Sequence, residues 1–135
     1  YYSTNSMISY DDFAKIEMKV GKILSAEPIQ KSDKLLKLSV SFGIIENAET
    51  AAIDETALPV VTRKEEIRQI LSGIAKYFPD PQALVGKKCM FVTNLAPRLM
   101  MGLESNGIIL AVSTEDGKFS LLEPQNDIPE GTKAR

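Results

Sequence analysis

Three polar side chains stand where strands should end: Asn94, Arg98 and Ser105, within Val92-Thr-Asn-Leu-Ala-Pro-Arg98 and Gly102-Leu-Glu-Ser-Asn-Gly107. An amide, a guanidinium and a hydroxyl can donate and accept hydrogen bonds, and a guanidinium suits phosphate especially well. None of them is an activated nucleophile. The chain has no histidine and a single cysteine, Cys89. It therefore lacks the commonest general base near neutral pH and the commonest metal ligand. A zinc site would need carboxylates, and no clustered spacing offers one. The expectation is a binding surface, with no enzyme activity in this chain alone, no metal and no cofactor.

A net charge of −2 over 135 residues argues at first against a polyanionic partner. Its distribution argues the other way. Residues 1–43 carry six Lys/Arg against five Asp/Glu, and residues 68–113 carry five against two. Residues 44–67 carry two against six, and residues 114–135 three against five. The local field, more than the total, steers a charged partner. A normal solvated surface is the competing reading of the same charges.

At 135 residues the chain is read as one domain, able to bury a core without staples. One cysteine permits no internal disulfide, from which a cytoplasmic location is expected. No apolar run approaches the roughly 18 residues of a membrane span. No signal peptide is visible, and the first residue is not Met, so the chain is read as a piece of a longer protein.

The elements that must position the polar residues follow from hydrophobic periodicity. Ser9 caps a short helical turn at 10–14, rich in Asp at its start, and Phe13 is expected to plug one end of a barrel. Ile16-Glu-Met-Lys-Val20 alternates, bends at Gly21 and continues to Ala26. Leu36, Leu38, Val40 and Phe42 face inward along the cleanest alternation, with Lys37, Ser39 and Ser41 outward. Residues 44–67 break the rhythm. Thr62-Arg-Lys-Glu65 has the pattern of a capping box, while Arg68-Gln-Ile-Leu-Ser72 reads as the third strand. Residues 44–67 are thus an acidic insert, partly helical at best. Asp80-Pro81 starts a short helix that Gly86 closes. Residues 87–93 and 108–113 are the fourth and fifth strands, and 114–135 a C-terminal extension. Cys89 is read as a core residue.

Five strands with a short helix between the third and fourth is the order of the OB-fold, an all-β Greek-key barrel. The barrel core is assigned to 9–43 and 68–113. Such a barrel commonly binds oligonucleotides on strands two and three and its rim loops, where the polar residues fall.

Five blocks also resemble a known family: Phe13-Ala-Lys-Ile-Glu-Met-Lys-Val-Gly21, Ser32-Asp-Lys-Leu-Leu36, Arg68-Gln-Ile-Leu-Ser-Gly73, Asn94-Leu-Ala-Pro-Arg98 and Ser105-Asn-Gly107. In this order they are similar to the tRNA-binding domain at the C-terminus of bacterial methionyl-tRNA synthetases and to its free-standing relatives. Tyr77-Phe-Pro-Asp-Pro-Gln-Ala-Leu-Val-Gly86 resembles the synthetase version. The resemblance implies an OB-fold, homodimerisation, recognition of tRNA by its folded shape, and a linked catalytic domain elsewhere. It implies binding positions at Asn94, Arg98, Ser105 and Lys34. Such domains often carry basic residues where Ala96 and Leu99 stand, so two phosphate contacts are thinned.

Each position has a second reading. Arg98 grips phosphate or pairs with Glu104. Asn94 bonds a 2′-hydroxyl or base edge, or satisfies local backbone. Lys34 and Lys37 contact RNA or are merely solvated. Ser72 touches the RNA backbone or shapes a bend, and Lys76 adds a phosphate contact. Met100 and Met101 pack on a ribose or base, or cap the barrel. Tyr77 and Phe78 stack on a base, or pack in the core or a dimer contact expected near 113–135. The alternative function is a dimerisation or protein-interaction module, or an export-chaperone-like relative, with little RNA affinity.

Overall fold

The computed structural model describes residues 6–49 and 60–135. After a single-turn α1 (Tyr10–Ala14), β1 (Met18–Ile29), β2 (Ser32–Glu49) and β3 (Val60–Ser72) run as antiparallel neighbours. Next come β4 (Lys88–Val92), the hairpin of β5 (Arg98–Met100) and β6 (Leu103–Ser105), and β7 (Ile108–Ile109). A last hairpin joins β8 (Ala111–Ser113) to β9 (Phe119–Leu121). The main sheet has the order β3-β2-β1-β4-β7, and it curls until β3 touches β6 and β7. The result is a mostly β, barrel-like body.

Its core is the inward row of β2 packed on β1 and β4. Leu36, Leu38, Val40 and Phe42 are buried together with Ile23, Ile70 and Phe91. Phe42 meets Phe91 edge-on at 5.4 Å between ring centroids, a geometry that aligns the rings' opposite partial charges. Gly21 lies beneath this pair. A Cβ there would stand 2.6 Å from Val40 Cγ1 and 2.8 Å from both phenyl rings. The glycine thus serves packing as much as bending. Gly21→Ala is expected to cost about 1–3 kcal/mol through overpacking. A urea melt checks this: the midpoint falls with its slope unchanged, and an unshifted midpoint contradicts it. Cys89 is buried, and burial pushes its thiol up to about 12, so no reactive thiolate is available.

The C-terminal extension is tied to the barrel. Val20 donates to the Thr132 carbonyl at 3.0 Å, Gly131 N to Val20 O at 2.8 Å and Ala134 N to Met18 O at 2.7 Å. Lys88 Nζ reaches Asp127 at 2.7 Å and Glu130 at 3.1 Å, and these hydrogen bonds raise the lysine pKa.

Several expectations are corrected. The third strand begins at Val60, not at Arg68, and β2 runs on to Glu49. Ile44 to Glu49 pair residue by residue with Glu65 to Val60, so both flanks of 44–67 extend the β2–β3 hairpin. Residues 50–59 of the expected insert lie outside the described residues. The capping-box pattern at 62–65 is overridden because pairing satisfies its backbone groups, which a helix there would also have had to do. Ser41 is buried rather than outward: a register shift between Ser41 and Ile44 turns the strand, and its hydroxyl accepts from Gly43 N at 3.3 Å. Phe13 does not plug the barrel. It is 36% exposed, and α1 buries no residue, although its Ser9–Asp12 capping box is formed. The expected fifth strand divides, with β7 pairing to β4 and β8 to β9. Residues 81–84 form a 3-10 turn, with Asp80 accepting from Gln82 N at 3.1 Å.

Candidate nucleic-acid interface

Strand β4 delivers the chain to Thr93 and Asn94, where two side chains fasten the N-terminal segment. Asn94 Oδ1 accepts from Glu17 N at 2.8 Å, and its Nδ2 donates to Lys15 O at 2.5 Å. The Thr93 hydroxyl donates to Glu17 Oε1 at 2.6 Å. That bond, helped by Lys19, holds Glu17 below the usual carboxylate value against the opposing effect of burial. The Asn94 amide is thereby committed to backbone groups 77 and 79 residues away.

Pro97 then leads into the β5–β6 hairpin, which lies against β3. Ser105 Oγ accepts from Leu71 N at 3.0 Å and donates to Gly107 O at 3.1 Å. Gln69 Nε2 donates to Glu104 O at 2.9 Å, and Asn106 N donates to Gln69 O at 2.9 Å. Ser105 is buried, and its hydroxyl is a clasp for the hairpin. Gly107 permits the close return: a Cβ there would stand 2.8 Å from Val92 O.

A residue that sequence reasoning did not single out completes the joint. Arg68 donates from NH1 to Thr93 O at 2.5 Å and to Asn106 O at 3.4 Å. Its Nε and NH2 meet Glu66 Oε1 at 2.9 and 2.7 Å, and the guanidinium lies 5.6 Å from the Phe42 ring centroid. The only available signal was an arginine between Ile67 and Gln69 in a strand, which equally fits a solvated position.

The joint places Arg98 at a cleft of about 310 Å³ with Ser72, Gly73, Met100 and Ser105. The guanidinium is exposed and, among the described residues, enters no ion pair. Glu104 faces Leu99 across the hairpin rather than Arg98. Ser72, Arg98 and Ser105 are thus brought together, although Ser105 points its hydroxyl inward. Lys37 lines a separate groove with Lys31, Met101 and Leu103. Its ammonium is 3.4 Å from Glu27, a half-exposed pair of small energetic weight. Lys34 is exposed at the start of β2. Lys76 stands apart, 4.9 Å over the Tyr77 ring, and Tyr77 stacks on Phe119 at 3.9 Å, so these aromatics pack within the chain. Among the described residues no cluster of His, Cys, Asp or Glu could hold a metal ion, and no helix is long and apolar enough to cross a membrane. The surface offers a guanidinium, ammonium groups and the Ser72 hydroxyl around a hairpin pinned to β3, which is chemistry for holding phosphate and sugar.

Comparison with known proteins agrees with that chemistry. A family described as "Putative tRNA binding domain" matches residues 44–133. The methionine–tRNA ligase of Methanospirillum hungatei is 47% identical over 128 residues, 95% of this chain. The chain spans only about 16% of that relative's length. A solved structure described as a MetRS related protein from Pyrococcus horikoshii is 34% identical, with a TM-score of 0.73, covering 96% of this chain and 99% of that one. The CsaA chaperone protein from Picrophilus torridus is 27% identical, with a TM-score of 0.70, covering 96% and 100%. The family match, spanning two-thirds of the sequence, fits the strand-end cleft and its exposed guanidinium: the chain belongs to the tRNA-binding domain family and is homologous to a small part of methionine–tRNA ligases.

Proposed function

We propose that this chain is a non-catalytic tRNA-binding module with an OB-fold, the C-terminal domain of a cytoplasmic methionyl-tRNA synthetase, acting as a homodimer. It captures tRNA by folded shape and phosphate contacts, and so raises the tRNA concentration near a linked aminoacylation domain. The observation that carries this reading is Arg98, an exposed guanidinium without an ion-pair partner among the described residues, held at a cleft by a hairpin that Ser105, Gln69 and Arg68 pin down. Lys31, Lys34 and Lys37 extend the positive rim toward the β1–β2 turn, and Ser72 adds a hydroxyl. Lys76 is an outlying phosphate contact. Asn94 and Ser105 contribute mainly by fixing the geometry. The dimer contact falls to 113–135, beside the exposed Val112.

A gel shift at low salt tests the reading with folded tRNA and the same strand kept unfolded. Folded tRNA is retained and the unfolded strand is held more weakly. Equal retention contradicts shape recognition, and no retention contradicts RNA binding. The second outcome favours the alternative reading, a protein-interaction module, which the likeness to CsaA chaperones supports.

A further inference from the structure

Met101 is the described non-glycine residue with positive φ, at 53°, and Gly102 follows at 78°. Met100 pairs with Leu103 across the turn, leaving these two residues as its centre. Two successive left-handed residues make the tight hairpin turn that Asn-Gly fits best. An unbranched apolar side chain has no local hydrogen bond to offset that backbone conformation. Met101 does not cap the barrel either, for it remains 50% exposed. A disfavoured backbone conformation bearing an outward apolar side chain points to a contact outside the fold.

The groove beside it shows what kind of contact. It measures about 340 Å³. Met101, Leu103, Pro28 and Ile29 form apolar walls, and Gln30, Lys31 and Lys37 bring an amide and two ammonium groups. Apolar walls take the face of a planar ring. The amide can bond a base edge, and the ammonium groups suit the flanking phosphates. Among the described residues Lys37 pairs with Glu27, half-exposed, and a phosphate can displace that pair. A fully paired helix could not present a ring here, since its bases are stacked inside.

We infer that this groove is a nucleotide subsite in which Met101 packs on an unpaired base of the bound RNA. The inference rests on the tRNA-binding reading and adds to it a contact that distinguishes tRNA from paired RNA. Arg98, in the separate cleft with Ser72 and Ser105, holds phosphate whatever the base pairing.

The test uses M101N, which relieves the left-handed strain while removing the apolar wall, and M101L, which keeps a wall. Each is titrated, with the unaltered chain, against tRNA and against a perfectly paired RNA duplex of similar phosphate count. M101N should melt no lower than the unaltered chain, bind tRNA about three- to tenfold more weakly and bind the duplex equally. M101L should keep most of the tRNA affinity. Unchanged tRNA affinity in M101N, or an equal loss on both RNAs, overturns the subsite while leaving the tRNA reading intact. If the unaltered chain holds neither RNA, the tRNA reading fails and the subsite falls with it. Competition by an unfolded peptide that depends on Met101, with tRNA affinity unmoved, overturns the subsite in favour of protein docking.

Discussion

Arg98→Ala is expected to weaken tRNA binding by about 1–3 kcal/mol, roughly five- to 150-fold. The size follows from the chemistry. A guanidinium makes charge-assisted hydrogen bonds to phosphate, and removing it also removes a counterion-releasing contact. Arg98 need not leave a protein partner to do so, because it has no ion pair among the described residues and Glu104 is opposite Leu99. Folding should be unaffected, since the side chain is exposed. Fluorescence anisotropy with labelled tRNA measures the loss. The same titration at a second salt concentration should show the log–log salt slope reduced by about one. Equal affinity in Arg98→Ala and the unaltered chain would remove Arg98 from the interface.

Arg68→Met should have the largest effect on stability among the positively charged residues, about 2 kcal/mol. The substitution keeps an unbranched stem against Phe42 but removes every guanidinium bond. Glu66, the Thr93 carbonyl and the Asn106 carbonyl each lose a partner. The Arg68 and Glu66 side chains retain 27% and 20% exposure, so water replaces part of what is lost, and the cost stays below that of breaking a fully buried ion pair. These bonds join β3 to the end of β4 and to the segment after β6, where the two edges of the curled sheet approach. A urea melt should show the loss, and backbone hydrogen exchange at Leu71 and Asn106 should quicken, because their N–H groups bond across the same joint. A melt within about 0.5 kcal/mol of the unaltered chain contradicts this assignment.

The two arginines also mark how far the sequence could be read. The exposure of Arg98 was legible because Pro97 and the strand pattern around it announce a turn at the surface. The inward row of β2 was legible because alternation is a local signal, and so was the Ser9 cap. Arg68 was not, because its acceptors at Thr93 and Asn106 lie 25 and 38 positions along the chain. The backbone partners of Asn94 were hidden for the same reason: a local turn role was weighed, whereas the amide bonds Lys15 and Glu17. Ser105 has the type of a contact residue, and only the folding of the hairpin onto β3 makes it a buried clasp. At 62–65 a local helix signal lost to a ladder whose partner residues are 44–47. The length of β3 could not be seen without that partner. Met101 shows the converse case, since no sequence pattern predicted a left-handed methionine. The candidate surface was therefore found from side-chain chemistry, while the parts that hold it rigid depend on pairings distant in sequence.

Phosphate contacts are expected to dominate tRNA binding by this surface. The most direct test is tRNA affinity measured across a salt series between about 50 and 200 mM. Arg98, Lys31, Lys34 and Lys37, with the outlying Lys76, together predict a log–log slope of about −3 to −4.5. A slope near zero, or affinity that does not fall with salt, would mean that phosphate contacts do not carry the binding.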